Sequence, residues 1–229
     1  MSTFVLVHGA WTGAHVWRPL RLLLAADGHE VFAPALTGLG ERVHLASPET
    51  DLETHVQDVV NLLRYQDLRE VVLVGHSYGG AVVCTAADRE PDRIARLVLL
   101  DALLVPDGRS VQDVRRHTAP YGAWIPPPRF AHLPVEQLAR LLPAARLSLQ
   151  PANTFRQPVR LTAPLEGRPF QRWYVRAARR DPSPPYDDAA RYTRAHQAWH
   201  YREVARGHDT MLSSPEETAQ LLCSLAGTV

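Results

Sequence analysis

One ten-residue stretch, Val71–Gly80, limits what this chain can fold into more than any other. Four apolar residues run directly into Gly-His-Ser-Tyr-Gly-Gly, and small residues follow at helical spacing. A strand, a sharp turn and a helix form the context in which Gly-x-Ser-x-Gly is a nucleophile elbow. We therefore predict that Ser77 is a nucleophile on this turn, and that Gly75 and Gly79 leave space where a Cβ atom would clash.

The same turn predicts where negative charge can be stabilised. The helix after Ser77 directs its first amides at the serine, and the amide of Tyr78 is the nearest along the chain. In hydrolases with such a turn, a second amide comes from the loop after an early strand. Here the apolar strand Phe4–Val7 runs into His-Gly-Ala-Trp, which points to the amide of Ala10 as the second oxyanion-hole donor.

The rest of the chain alternates apolar strands with amphipathic helices. This order predicts one α/β domain over residues 1–229, with a mostly parallel six-stranded sheet between helices and ligand chemistry at the carboxyl ends of its strands. Predicted strands lie at about 4–7, 31–32, 71–74, 97–100, 173–175 and 199–204, and predicted helices at about 16–26, 52–65, 80–89, 187–196 and 214–225.

The segment from about residue 104 to 170 has a different composition. It is rich in proline, carries scattered aromatic residues and shows one amphipathic helix at about 135–142. Its leucine content argues against a disordered segment, and we predict a cap over Ser77. We expect Trp11, Tyr121 and Trp124 to contact the substrate.

Composition excludes several classes of partner. The net charge of +1 over 229 residues gives no reason to expect nucleic acid or a membrane. Cys84 and Cys223 lie in apolar helical patterns, so we predict buried thiols and no metal site. No secretory leader or membrane-length apolar run is visible, which predicts a cytoplasmic protein. We expect a small-molecule substrate and no cofactor; the oligomeric state stays open, with a homodimer as one candidate.

Location separates the catalytic base from the other histidines. His208 follows the last predicted strand and precedes the closing helix, so it can lie over the strand ends and reach Ser77. The order serine before histidine suits this topology. His8 is interpreted as a brace for the first loop, with a chance histidine as the alternative. Five others are set aside as helical (His55, His196), in the cap (His117, His132) or directed away from the serine (His76).

Four stretches together resemble one family. They are Phe-Val-Leu-Val-His-Gly-Ala-Trp at 4–11, Ala-Leu-Thr-Gly-Leu-Gly-Glu-Arg at 35–42, Gly-His-Ser-Tyr-Gly-Gly at 75–80 and Gly-His-Asp at 207–209. The chain is similar to the esterase branch of the α/β-hydrolase fold, which includes plant methylesterases, hydroxynitrile lyases and small bacterial esterases. The resemblance covers residues 4 to about 107 and about 173 onward, and it is faint in the cap. It implies a triad in the order serine, acid, histidine.

The acid of this triad is the point where the chain departs from the family. The resemblance places an aspartate soon after Tyr174-Val175-Arg176, at the position of Arg180, and Asp181 stands one residue later. Asp101 is the rival, because it ends the strand before the cap. We rank Asp181 first and Asp101 second as the carboxylate that orients His208.

The sequence supports an ester or thioester hydrolase that acts on a small, largely apolar compound through an acyl-enzyme. The family's lyases rely on a lysine near the histidine and a hydroxyl residue after the first loop histidine. Asp209 and Gly9 stand at those positions and the chain contains no lysine, which argues against a lyase. The alternative is a non-hydrolytic protein, cyclase-like or ligand-binding, that keeps the elbow, since the acid is displaced.

Overall fold

The computed structural model describes residues 1–116, 122–130, 142 and 144–227. The strands are β1 (Thr3–Val7), β2 (Glu30–Phe32), β3 (Val71–His76), β4 (Ile94–Leu100), β5 (Trp124–Ile125), β6 (Gln150–Pro151), β7 (Gln171–Ala177) and β8 (His200–Val204). The α-helices are α1 (Arg18–Ala26), α2 (Leu52–Tyr65), α3 (Gly79–Arg89), α4 (Val111–Val114), α5 (Asn153–Arg156), α6 (Pro184–Ala195), α7 (Thr210–Ser213) and α8 (Pro215–Gly227). None of these helices has the length and hydropathy needed to cross a membrane.

Six strands form one sheet in the order β2-β1-β3-β4-β7-β8, and every neighbouring pair is parallel. The predicted fold class is thereby confirmed. The elbow strand β3 lies at the centre, between β1 and β4, and every residue of it is buried. Because parallel strands end at the same edge, the loops after β1, β3, β4, β7 and β8 meet there.

Apolar clusters cover both faces of the sheet. On one face, α1, α8 and the 3-10 turn Ala14–Trp17 pack against β1, β3 and β4. On the other face, α2, α3 and α6 pack together with the segment between β4 and β7. Helix α3 is buried along almost its whole length, which its small residues allow because they bring its backbone close to the sheet.

Helix α2 shows how directly the sequence encodes an element. Its buried stripe has the spacing of one helix face and consists of Leu52, Val56, Val59, Val60 and Leu63. The carboxylate of Asp51 accepts a hydrogen bond from the Thr54 amide at 2.8 Å, which caps the helix. The observed bounds, Leu52–Tyr65, confirm the predicted ones.

The segment between β4 and β7 contains more strand than we predicted. Its described part holds α4, α5 and the antiparallel pair β5–β6. The helix predicted at 135–142 falls, except for Leu142, outside the described residues, and so does Tyr121. A cap over the site therefore stays a prediction.

The two cysteines differ from each other in burial. Cys84 in α3 is buried, as predicted, whereas Cys223 in α8 is only half-buried, with its Sγ 3.4 Å from Nε2 of His29. Both are free thiols.

Candidate active site

Ser77 occupies the tight turn between β3 and α3. Its φ of +54° lies in the left-handed region, which costs a non-glycine residue on the order of 1–3 kcal/mol. A Cβ atom at Gly75 would lie 2.5 Å from Cγ2 of Val83, and one at Gly79 would lie 2.7 Å from the carbonyl oxygens of Val7 and His8. The predicted reason for both glycines is confirmed, because the turn fits only where these two side chains are missing.

Two further residues near Ser77 have left-handed backbones. They are Trp11 at φ +63°, in the loop after β1, and Asp101 at φ +41°, directly after β4. Strained non-glycine residues concentrate where the surrounding structure holds functional groups in place. Here three of them stand at the carboxyl ends of three adjacent strands.

His208 is positioned by a buried carboxylate. Its Nδ1 lies 2.6 Å from Oδ2 of Asp101, which has no exposed surface. A carboxylate can only accept, so Nδ1–H is the donor and Nε2 keeps a lone pair. The imidazole is thus in the tautomer that can take a proton.

This contact corrects the ranking of the two candidate acids. Asp181, ranked first from the sequence, is exposed, and its backbone carbonyl accepts a hydrogen bond from Nη1 of Arg180 at 2.9 Å. Asp101, ranked second, is the carboxylate that reaches His208. The loop after β7 differs from the expectation because an arginine, and not an acid, turns inward there.

Arg180 is the residue that turns inward. Its side chain is only 6% exposed, and its Nε lies 3.0 Å from Oδ2 and 3.1 Å from Oδ1 of Asp101. Its Nη2 donates to Asp187 at 2.8 Å, and the Ala177 amide donates to Asp101 at 3.2 Å. The arginine neutralises a carboxylate that would otherwise be buried as an unpaired charge. Sequence reasoning noticed the position of Arg180 but missed this role.

His76 supports the histidine loop, which sequence reasoning also missed. Its Nε2 donates to the carbonyl oxygen of His208 at 3.1 Å, and the two rings lie 4.5 Å apart. Burial lowers the pKa of His76 well below its usual value, so the ring is neutral. This hydrogen bond holds the loop that carries His208 in place.

The sequence predicted no metal site, but three side chains, that of His208 among them, carry atoms that could bind a metal ion. His76, His208 and Asp209 each place one possible ligand atom within 4.8 Å of the others. Two of these side chains already have other partners in the site, since His76 holds the loop carbonyl and His208 holds Asp101.

Tyr186 is a third residue that sequence reasoning missed. Its hydroxyl oxygen lies 3.0 Å from Oγ of Ser77, and the side chain is buried in α6. We predicted that this helix begins at residue 187, one position too late to include the tyrosine. The missed signal is Pro184-Pro185, because proline favours the first turn of a helix.

The two predicted oxyanion-hole amides flank the serine. Tyr78 follows Ser77, and a Cβ atom on Gly9 would lie 2.9 Å from Cβ of Ser77, so the loop that carries Ala10 packs directly on Ser77. Neither the Ala10 nor the Tyr78 amide meets a hydrogen-bond acceptor among residues 1–116, 122–130, 142 and 144–227.

His8 braces this loop, as predicted. Its Nε2 accepts a hydrogen bond from the Leu36 amide at 3.0 Å, so its Nδ1–H donates to the Gly9 carbonyl at 2.8 Å. Burial lowers the pKa of His8 to about 3, and the ring stays neutral. The side chain links the loop after β1 to the loop after β2.

The 35–42 stretch braces the other side of the serine. The Thr37 carbonyl accepts from Nε2 of His55 at 2.9 Å, which leaves Nδ1 to accept from the Tyr78 hydroxyl, also at 2.9 Å. Asp58 accepts from the Thr37 amide at 2.6 Å and from Arg42 at 3.0 Å. Burial lowers the pKa of His55 to about 4.

Trp11 joins the site to the segment between β4 and β7. Its indole Nε1 donates to the Ile125 carbonyl at 2.9 Å, and its amide donates to Gln150 at 3.1 Å. Its ring packs edge-on against Phe155 at 5.9 Å, and the guanidinium of Arg115 lies 5.8 Å above it. Trp124, another predicted substrate contact, is half-buried in β5.

A cavity of about 770 Å³ lies beside the site, between α4, α6 and the residues before β7. Its apolar wall includes Leu104, Val114, Leu161 and Ala189. Within the described ranges its lining contains neither Ser77 nor His208, so the chemistry cannot be assigned to this cavity.

A serine on a strained turn, a histidine bonded to a buried carboxylate and two amides with no acceptor in the described part of the chain lie at one edge of the sheet. The sequence matches the profile of the Alpha/beta hydrolase family over residues 4–221. The chain belongs to this family. The Carbendazim hydrolyzing esterase of Nocardioides sp. (strain SG-4G) is similar to this α/β-hydrolase, at 32% identity over 246 aligned positions that cover 98% of this chain and 100% of that protein.

Two further comparisons agree with the predicted resemblance, which is confirmed. Methylesterase 8 of Arabidopsis thaliana is 35% identical over 108 residues, which is 47% of this α/β-hydrolase and 39% of the plant protein. Among solved structures, an extracellular alpha/beta-hydrolase from a Paenibacillus species has a TM-score of 0.80 at 25% identity and covers 100% of both chains. That protein is described as sharing structural and functional homology with tobacco salicylic acid binding protein 2.

The buried histidines should make the stability of this α/β-hydrolase fall below neutral pH. Burial holds the pKa of His8 at about 3 and of His55 at about 4, and it lowers the pKa of His76 well below its usual value. Unfolded histidine binds a proton near pH ~6.5, so below that pH the unfolded chain binds more protons than the folded one. The contribution of these histidines to the free energy of unfolding is therefore fully present above pH ~6.5. It decreases as the pH falls, by about 1.4 kcal/mol per pH unit for each histidine.

Urea denaturation at pH values from about 7.5 to about 5 measures this slope. His55→Gln, which cannot titrate, should reduce the slope by about 1.4 kcal/mol per pH unit. A free energy of unfolding that stays constant over this range would contradict the expectation.

Arg180→Met should destabilise the protein because it leaves the Asp101 carboxylate buried without its cation. We expect a loss of about 3–5 kcal/mol in the free energy of unfolding. Adding Asp101→Asn removes the unpaired charge, so the double variant should be more stable than Arg180→Met alone. Chemical denaturation measures both, and Arg179→Met, at an exposed neighbour, is the matched control. A double variant no more stable than Arg180→Met would contradict this explanation.

Proposed function

We propose that this α/β-hydrolase is a carboxylic ester hydrolase with Ser77 as nucleophile, His208 as base and Asp101 as the orienting acid. The observation that carries the proposal is the 2.6 Å contact between His208 Nδ1 and Asp101. It leaves Nε2 of the imidazole able to accept a proton. The charge of Asp101 then stabilises the imidazolium that forms, which is the task of the third member of such a triad.

The proposed reaction uses these residues in turn. As Oγ of Ser77 attacks the ester carbonyl carbon, the serine proton moves to Nε2 of His208. The carbonyl oxygen becomes an oxyanion that the Ala10 and Tyr78 amides stabilise, since no described residue occupies either donor. The bond to the leaving group breaks, His208 returns the proton to it, and an acyl-enzyme remains. Water then releases the acid by the same steps.

Two features support ester chemistry and a small substrate. The relative similar over its full length is named as an esterase, and the plant relative as a methylesterase. Ser77 is only 8% exposed, so a substrate reaches it in a confined space. We propose that Trp11 and Phe155 form an apolar wall of that space, with Tyr121 and Trp124 as further contacts. Among the described residues, no contact in the site favours the alternative of a cyclase-like or ligand-binding protein.

The nucleophile can be tested with a covalent probe. A fluorophosphonate should label the folded protein stoichiometrically, and mass spectrometry should place the adduct on Ser77. Ser77→Ala should abolish both labelling and the hydrolysis of a p-nitrophenyl ester, whereas Ser224→Ala on α8 should retain both. A folded protein that binds esters without turnover or labelling would support the non-hydrolytic alternative.

The acid can be tested by exchanging a charge for an amide. Asp101→Asn should reduce kcat on the order of 10⁴-fold, as the equivalent change does in a serine protease. Asp181→Asn is the matched control, and because that carboxylate is exposed we expect a change within about twofold. Steady-state kinetics on one ester compare the two. A larger loss in Asp181→Asn would restore the sequence-based ranking.

A further inference from the structure

Tyr186 occupies the space in front of the nucleophile, and neither the triad nor the oxyanion hole uses it. We propose that Tyr186 is a catalytic residue whose hydroxyl donates a hydrogen bond to the departing oxygen of the substrate. The proposal rests on the serine mechanism above and extends it. It implies that the substrates are esters whose alcohol is a poor leaving group, such as simple alkyl esters.

The tyrosine is held tightly in this position. Its ring packs edge-on against the His208 ring at 5.0 Å, and the guanidinium of Arg180 lies 5.0 Å above it. Its backbone carbonyl accepts a hydrogen bond from the buried Tyr174 hydroxyl at 3.2 Å. The hydroxyl therefore stays 3.0 Å from Oγ of Ser77 because of packing, without help from the substrate.

The direction of the hydrogen bond follows from the mechanism. Within the described residues, Oγ of Ser77 has no hydrogen bond besides the one to Tyr186. The serine proton must turn to His208 when the base takes it, so Tyr186 is then the donor and Oγ the acceptor. Burial raises the pKa of the Tyr186 hydroxyl, which keeps its proton at neutral pH. The side chain is a fixed neutral donor.

The leaving group must pass this donor. In the tetrahedral intermediate the oxyanion lies at the Ala10 and Tyr78 amides, whereas the leaving oxygen faces His208, which returns the proton to it. Tyr186 adjoins both Oγ and the His208 ring, and so lies on the leaving side. When the carbon–oxygen bond breaks, its electron pair stays on the leaving oxygen and His208 Nε2 supplies the proton. Tyr186 only donates a hydrogen bond and keeps its own proton.

The hydrogen bond from Tyr186 matters most for esters with a poor leaving group. A p-nitrophenolate leaves readily and needs little help, whereas an alkoxide carries concentrated charge as the bond breaks. A hydrogen bond that strengthens only in that transition state raises kcat and leaves substrate binding almost unchanged.

The test compares Tyr186→Phe with wild type on p-nitrophenyl, phenyl and methyl esters of one acid. We expect kcat for the methyl ester to fall on the order of 10²-fold, with KM little changed. The p-nitrophenyl ester should lose no more than about threefold, so the dependence of rate on leaving-group pKa becomes steeper. Tyr192→Phe is the matched control. It removes a hydroxyl from the same helix, but that hydroxyl donates to Glu166 at 2.9 Å and does not contact Ser77.

Each outcome bears on one claim. An equal loss on all three esters, or no loss on any, overturns the leaving-group role of Tyr186. If wild type neither hydrolyses any ester nor takes the fluorophosphonate, the serine mechanism itself fails. A second measurement avoids removing the hydroxyl. Protein with 3-fluorotyrosine at position 186, whose hydroxyl is a stronger hydrogen-bond donor, should show a shallower dependence of rate on leaving-group pKa. An unchanged dependence in that protein also overturns the proposal.

Discussion

The site is organised by one buried charge, the carboxylate of Asp101. It has no exposed surface, and an ion in such a place is tolerated only when opposite charges and hydrogen bonds surround it. Arg180 supplies the charge and the Ala177 amide a further donor, which ties the end of β4 to the loop after β7. His208 completes the set from the loop after β8. The ends of β4, β7 and β8 are therefore held together around one side chain.

Two neutral histidines also hold loops at this edge of the sheet, after β1, β2 and β3. His8 and His55 each connect two loops through both ring nitrogens, and each hydrogen bond determines which nitrogen carries the proton. Burial keeps both rings uncharged, so they act as fixed brackets for the amides on either side of Ser77. The charged cluster around Asp101 thus orients His208, while the two neutral rings add no charge of their own beside Ser77.

What could be predicted depended on the range of the interactions. The helix at 52–65 follows from local periodicity, and the turn at Ser77 follows from the short Gly-x-Ser-x-Gly motif, although the contact that requires Gly79, with Val7 and His8, is distant in sequence. The choice between Asp101 and Asp181 depended on which side chain turns inward at the end of β7, a contact across 107 residues that periodicity does not encode. The local signal Pro184-Pro185 could have placed Tyr186 in its helix, but not its contact with Ser77, which lies 109 residues earlier. Sequence reasoning found residues defined by their own turn and missed those defined by a distant partner.

Trp11 has a consequence for how such a protein can change. Trp11 follows Ala10, whose amide is the proposed oxyanion donor, and it also donates hydrogen bonds to Ile125 and Gln150 of the β5–β6 pair. Insertions between strands are usually the part of an enzyme that evolution exchanges most freely. Here the inserted segment and the catalytic loop share an anchor, so the two are not independent modules. A graft of a foreign segment would have to reproduce both acceptors of Trp11, or the rate would change along with the specificity.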